Sequence, residues 1–140
     1  RARSLLMYNL ADSNASPTLA GSEALTLLQQ ISTWGNTTTI VLHGGCVFEF
    51  KGEFPTGEIA EGYYNLKGKT GFEGHLNLDA IKTIQFQSKN HRGRESHALI
   101  FTDKNGDAIF KIFLGRDDSG ALLQHQIHHF ETLRQQAIAG

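Results

Sequence analysis

Leu25, Leu28 and Ile31 recur at helical spacing, and the apolar run continues to Trp34. Ser22 ahead of this run can accept a bond from the free N–H groups of a first turn, and Gly35 behind it is placed to end the last one. The spacing therefore predicts a helix in a lead-in that reaches residue 34. Arg1 to Asn9, with Leu5, Leu6 and Tyr8, reads as the tail of an earlier helix that Ala11 to Pro17 breaks. Beyond Asn36 the period changes to two and β-branched residues accumulate, through Thr37 to His43 and then Cys46 to Phe50, with Gly44-Gly45 as a tight turn. Pro55-Thr56-Gly57 makes a second turn, after which Gly62 to Lys67 and Phe72 to Leu78 read as short strands. Asp79 starts a single turn before a half-buried strand over Ile81 to Ser88, with Ile84 and Phe86 on one face and Gln85 and Gln87 on the other. A polar link from Lys89 to Glu95 follows. Ser96 to Thr102 and Ala108 to Leu114 flank Asn105-Gly106, a strong hairpin signal. A helix from about Ser119 closes the chain, with Leu123, Ile127, Phe130 and Ala137 on one face. The predicted class is α+β: one domain over residues 1–140, with a helical lead-in at 1–34, a large antiparallel sheet at 37–115 and a C-terminal helix at 118–138.

Composition narrows the partners. A chain of 140 residues fits one domain with a real core. Thirteen basic residues against fourteen acidic ones supply no concentrated basic face, so neither nucleic acid nor an anionic membrane is expected as the main partner. No apolar run approaches the roughly 18 to 20 residues of a membrane span, and no leader pattern opens the chain; the expected location is cytoplasmic. The single cysteine, Cys46, excludes an internal disulfide and is expected to be buried in its alternating strand as a small apolar residue.

The densest chemistry lies between Gly62 and His75, where four glycines, three aromatic residues and one histidine share fourteen positions. Gly68, Gly71 and Gly74 recur every third residue and lead to His75. A glycine inside a strand marks a bulge or lets a backbone or ligand come close. The stretch therefore fits either a glycine-rich hairpin whose aromatics enter the core or a sheet surface cleared for something flat. Elsewhere the signals are weaker. His125 and His129 stand four apart on the last helix, a spacing that zinc ligands use, but they fall on its outer face with His128 and lack a HExxH glutamate; a solvated polar face is the favoured reading. Asp117-Asp118 precedes that helix, where carboxylates stabilise its dipole. No catalytic triad signature, Walker loop or dinucleotide fingerprint is present.

His75, His91 and His97 fit a more specific need. A planar apolar cofactor such as haem requires a dry wall, an axial N or O donor and cations for its propionates. Tyr63, Tyr64, Phe72 and Phe86 supply wall candidates, the three histidines or a tyrosine the donor, and Arg92, Arg94, Lys67 and Lys69 the cations.

Four blocks in order, Gly35-Asn36-x-Thr38-Thr39 leading into Glu49-Phe50, Pro55-x-Gly57, Gly62-Tyr63-Tyr64-Asn65-Leu66-Lys67-Gly68-Lys69-x-Gly71-x-x-Gly74-His75, and Phe110-Lys111-Ile112-Phe113-Leu114-Gly115-Arg116-Asp117, resemble the cytosolic haem-utilisation carriers of the HutX/ChuX type. The last block is also similar to one in the duplicated haem-degrading HemS-type proteins. The resemblance spans about Leu10 to Leu133, and relatives carry a fuller helical lead-in than Arg1 to Leu10 offers. It implies a homodimer that binds haem b noncovalently, receives it after import and hands it to a haem-degrading enzyme. The absence of Cys-x-x-Cys-His agrees with noncovalent binding. It also implies His75 as the first axial candidate, with His91 and His97 next. A carrier must both hold and release its cargo, which favours one modest axial bond to ferric haem in a partly open groove. Two alternatives stay open: an enzyme that opens the porphyrin ring itself, and a non-catalytic module binding protein or nucleic acid through Arg92, Arg94, Lys67 and Lys69.

Overall fold

The computed structural model describes residues 16–139. Among the described residues, nine strands and two α-helices follow in the order β1 (Thr18–Ala20), α1 (Ala24–Ile31), β2 (Asn36–His43), β3 (Cys46–Glu53), β4 (Gly57–Ala60), β5 (Tyr63–Lys67), β6 (Glu73–Leu76), β7 (Thr83–His91), β8 (Arg94–Thr102), β9 (Ala108–Leu114) and α2 (Gln124–Ala139). Single 3-10 turns lie at Gly21–Glu23 and Leu78–Ala80. The α+β class holds. The strands divide between a six-stranded sheet, ordered β1-β7-β8-β9-β2-β3, and a three-stranded one, β4-β5-β6. Every pairing within them is antiparallel.

Alternation explains how the large sheet is covered. Ile84 and Phe86 on β7, Leu99 and Phe101 on β8, and Phe110, Ile112 and Leu114 on β9 point to one side, where they pack with Leu27, Leu28 and Ile31 of α1 and Phe130 and Leu133 of α2. Tyr64 and Leu66 of β5 enter the same core, so the small sheet rests on it by one face. Lys111 pairs with Ile40 and Ile100, which places all three on the opposite side; each is 3 % exposed or less. Burial at about 25 cal/mol per Å² of apolar surface is the main source of stability for such a core.

A buried glutamine ties three backbone positions together. Gln126 is fully buried; its Oε1 accepts from Gly115 N at 2.7 Å, and its Nε2 donates to the carbonyls of Trp34 at 3.0 Å and Asn36 at 2.8 Å. Gly115 is obligatory at this corner, because a Cβ there would lie 1.9 Å from the Asn36 carbonyl oxygen.

Several local expectations change. The helix tail at Arg1 to Asn9 falls outside the described residues. Within the rest of the lead-in, Thr18–Ala20 forms a strand paired with β7, and no side chain caps α1, so Ser22 does not play that role. Leu27 rather than Leu25 shares the buried stripe of α1. The polar link at Lys89 to Glu95 is a continuation of β7 and β8, whose register runs without a break to His91↔Arg94 around Arg92-Gly93. Its polar side chains reflect exposure, not the end of the strands. The last helix begins at Gln124, not at 118, because Asp117 first organises a loop. Its Oδ1 accepts from Ser119 Oγ, Ser119 N and Ala121 N. These bonds, the Ser119 hydroxyl foremost, hold its carboxyl below the usual range. Cys46 is exposed, because it sits beside the Gly44-Gly45 turn with φ of 59° and 82° at the tip of the β2–β3 hairpin. Tight turns of this kind face solvent.

Candidate functional site

The glycine-rich stretch folds as the hairpin β5–β6. Gly68 allows its turn to close, since a Cβ there would meet the Phe72 carbonyl oxygen at 2.0 Å. Gly71 sits at φ 99°, and Gly74 lies opposite Leu66 in the pairing. Gly68 and Gly71 therefore shape the turn, while a Cβ at Gly74 would meet only Leu66 Cδ1, at 3.9 Å. What the hairpin presents outward is polar: Asn65 pairs with His75 and Lys67 with Glu73, while Tyr64 and Leu66 point to the core.

Asn65 organises this outer face. Its Nδ2 donates to the carbonyls of Ala60 at 3.0 Å, Tyr63 at 3.2 Å and Glu58 at 3.3 Å. With the amide nitrogen committed to three carbonyls, Oδ1 is an acceptor, and it lies 2.5 Å from His75 Nδ1. Nδ1 is therefore the donor of this bond, and Nε2 has no hydrogen-bond partner among the described residues on an exposed side chain. The Tyr63 ring packs edge-on against the imidazole at 6.1 Å, and Tyr63 is 46 % exposed. An imidazole whose second nitrogen is anchored to a carbonyl oxygen is the usual arrangement of a metal-bound histidine. Beside it, Lys67 pairs with Glu58 and holds that carboxyl below its usual range.

The other predicted residues lie elsewhere. Tyr64 is buried, and burial pushes its phenol up against a smaller opposing contribution from the Gly57 backbone. Phe72 stacks on Phe50 at 4.7 Å and meets Phe54 edge-on at 5.6 Å, joining the small sheet to the end of β3. Phe86 is a core residue packed on Phe130 at 5.3 Å. His97 is 6 % exposed, with Nδ1 2.7 Å from Ser88 Oγ and Nε2 2.5 Å from Glu95 Oε2. Both ring nitrogens are occupied, which makes it a poor ligand for an incoming metal. Lys69 is exposed beside the β5–β6 turn, and Arg92 is exposed at φ 54° at the tip of β7–β8.

His91 and Arg94 belong to a different feature. They line a groove of about 720 Å³ on the open side of the large sheet, together with Thr38, Ile40, Glu49, Lys51, Ser96, Phe113 and the Arg116–Asp118 turn. Its volume falls within the range of small-molecule sites. Arg116 is partly spoken for, since it donates to the carbonyls of Gly120 and Glu95. Burial, reinforced by Arg94, lowers its pKa. The groove mixes three of these cations, Lys51, Arg94 and Arg116, with Glu49, Asp117 and Asp118, so it has no strong preference for an anion. The structure thus separates His75 and Tyr63 from His91 and Arg94, and both from the buried His97 and Phe86.

Sequence reasoning missed Asn65. Its signal was present: an asparagine inside a strand is unfavourable unless its side chain has a task. The exposed Phe48 and Phe50, 51 % and 39 % accessible on the edge strand β3, were also overlooked. Among the described residues no cluster of three or more His, Cys, Asp or Glu side chains is placed to hold a metal ion.

Comparison with known proteins gives a consistent picture. A protein of Vibrio cholerae serotype O1 named intracellular heme transport protein HutX is 44% identical over 117 residues, which cover 83% of this chain and 61% of that protein. The crystal structure of ChuX superposes with a TM-score of 0.83 at 35% identity, covering 91% of this chain and 79% of that one. The structure of holo-PhuS from Pseudomonas aeruginosa aligns over 88% of this chain and 35% of its own with a TM-score of 0.67; at 16% identity it shows a shared fold alone. Residues 18–133 match the family described as haem utilisation ChuX/HutX. With the alternation, turns and hairpin blocks placed as described, the chain belongs to the haem utilisation ChuX/HutX family.

Proposed function

We propose that the protein binds haem b noncovalently and carries it inside the cell to a haem-degrading acceptor during iron acquisition. The reading rests on family membership and on the transport role named for the similar Vibrio protein, of whose length this chain spans 61%. The observation that carries it is the Asn65–His75 pair, which anchors an exposed imidazole through Nδ1 and leaves Nε2 without a hydrogen-bond partner among the described residues. That nitrogen would bind the haem iron, with Tyr63 against its ring and Lys67, paired with Glu58, on the same outer face. A single donor on an exposed sheet suits a carrier that must release its cargo. The only cysteine lies on another hairpin, in keeping with noncovalent binding. Among the described residues no helix is long and apolar enough to cross a membrane. Association as a homodimer is supported by β3, an edge strand with exposed Phe48 and Phe50.

Haemin titration followed through the Soret band tests the assignment. His75→Ala is expected to change the spectrum and weaken binding at least about tenfold, the usual scale for a metal ligand or its anchor. An unchanged spectrum and affinity in His75→Ala removes the donor role. Transfer of haem to a haem-degrading enzyme, with no loss of the Soret band when an electron donor alone is added, distinguishes a carrier from an enzyme.

A further inference from the structure

The last helix carries three imidazoles on its exposed side, and Trp34 orders two of them. His125 Nε2 lies 2.7 Å from the Trp34 carbonyl oxygen and donates to it, which leaves Nδ1 without a hydrogen-bond partner among the described residues. The His129 ring stacks on the Trp34 indole, with centroids 5.5 Å apart and planes 9° from parallel, and makes no hydrogen bond among the described residues. One helical turn separates the two histidines. Their rings stand 6.5 Å apart at 87°. Metal–imidazole bonds of about 2.0–2.1 Å place two rings on one ion with centres roughly 5 to 6 Å apart, so small side-chain rotations close the site.

We propose that His125 and His129 form a binding site for a divalent first-row transition-metal ion, with water completing its coordination. Two features carry the assignment. The backbone carbonyl anchoring His125 is the outer contact that fixes a ligating imidazole in known metal sites. The indole beneath His129 fixes the plane of the second ring while leaving its edge open. An all-nitrogen pair ranks Cu²⁺ above Ni²⁺ and Zn²⁺. The His128 ring also lies against His129, with centroids 6.1 Å apart at 62°, but neither a carbonyl nor the indole fixes it among the described residues, so the ordered pair is His125 with His129. Sequence spacing alone favoured a solvated face because the contribution of Trp34, ninety residues away, is invisible in it.

Trp34 is the only tryptophan in the chain, so its emission reports on the site. Titration of the haem-free protein with Cu²⁺ near neutral pH is expected to quench it saturably at one ion per chain and to recover with chelator. His125→Ala and His129→Gln are each expected to weaken that binding at least about tenfold, whereas His128→Ala and His75→Ala shift it less than about twofold. Because His129→Gln alters the indole's own surroundings, Zn²⁺ titration calorimetry on the same variants supplies a second readout and is expected to give the same ranking. Binding that survives His125→Ala, or that falls as far with His128→Ala as with His125→Ala, overturns the site.

Discussion

Two amide side chains in this fold make nearly the same bonds to opposite ends. Gln126, fully buried, uses its amide to tie Trp34, Asn36 and Gly115 together. Asn65, half-exposed, grips three carbonyls of β4 and β5 and spends its remaining oxygen on a histidine. The first arrangement closes on itself, so its value is stability. The second ends on an exposed imidazole whose other nitrogen is unengaged among the described residues, so its value is presentation.

The largest expected effect comes from the closed clamp. Gln126→Ala strands the Gly115 N–H and the Asn36 carbonyl, and denaturant unfolding is expected to register a loss of about 3 kcal/mol. A loss below about 1 kcal/mol would mean that the corner is held by something else. Asn65→Ala should behave in the reverse way. We expect haem affinity to fall about ten- to a hundredfold, with stability changed by less than about 1 kcal/mol. The double variant Asn65→Ala/His75→Ala should bind no more weakly than His75→Ala alone, since the asparagine acts through the imidazole; additive losses would separate the two.

Another buried polar group, Lys111 on the far side of the large sheet, behaves differently because it is ionisable. Burial, and secondarily Lys89, lowers the Lys111 pKa to about 8. The unfolded chain keeps that proton to about 10.5, so between these values it binds more protons than the folded chain and stability rises with pH. Below the folded value both states are protonated and the contribution is constant. The gain across the window is about 1 to 3 kcal/mol, and Lys111→Met should flatten the curve. Thermal unfolding of the two proteins between pH 8 and about 10.5 tests this. The smallest effect belongs to His91→Ala: no change in the haem spectrum is expected, and a shift there would transfer the site to the groove.

Much of this was legible in the chain. Alternation located β2, β3 and the β8–β9 hairpin, and the Gly62–His75 stretch yielded β5 and β6 within a few residues. Class and family followed. What escaped were elements with no apolar rhythm. β1 has three residues, and β4 has four, of which Ile59 is 56 % exposed. The ends of β7 and β8 read as a link because exposed strand positions there carry only polar residues. The sequence groups His75 and Tyr63 with His91, His97, Phe86 and Arg92; strand register places His91, His97 and Phe86 on the large sheet, and Arg92 sits in the β7–β8 turn. Parity decides this: His97 shares a side with Leu99 and Phe101, whereas Arg94 and His91 face the groove.

The free margin of β3 has a consequence for self-association. Glu49 and Lys51 stand two apart on one side of it, and Phe48 and Phe50 on the other. Were two copies to add antiparallel along this margin about Phe50, each Glu49 would face a Lys51, and the two Phe50 rings would meet. Sliding by one residue pair either way sets Glu49 against Glu49, or Lys51 against Lys51. The strand therefore encodes a preferred alignment with itself, and penalises the adjacent ones by charge repulsion.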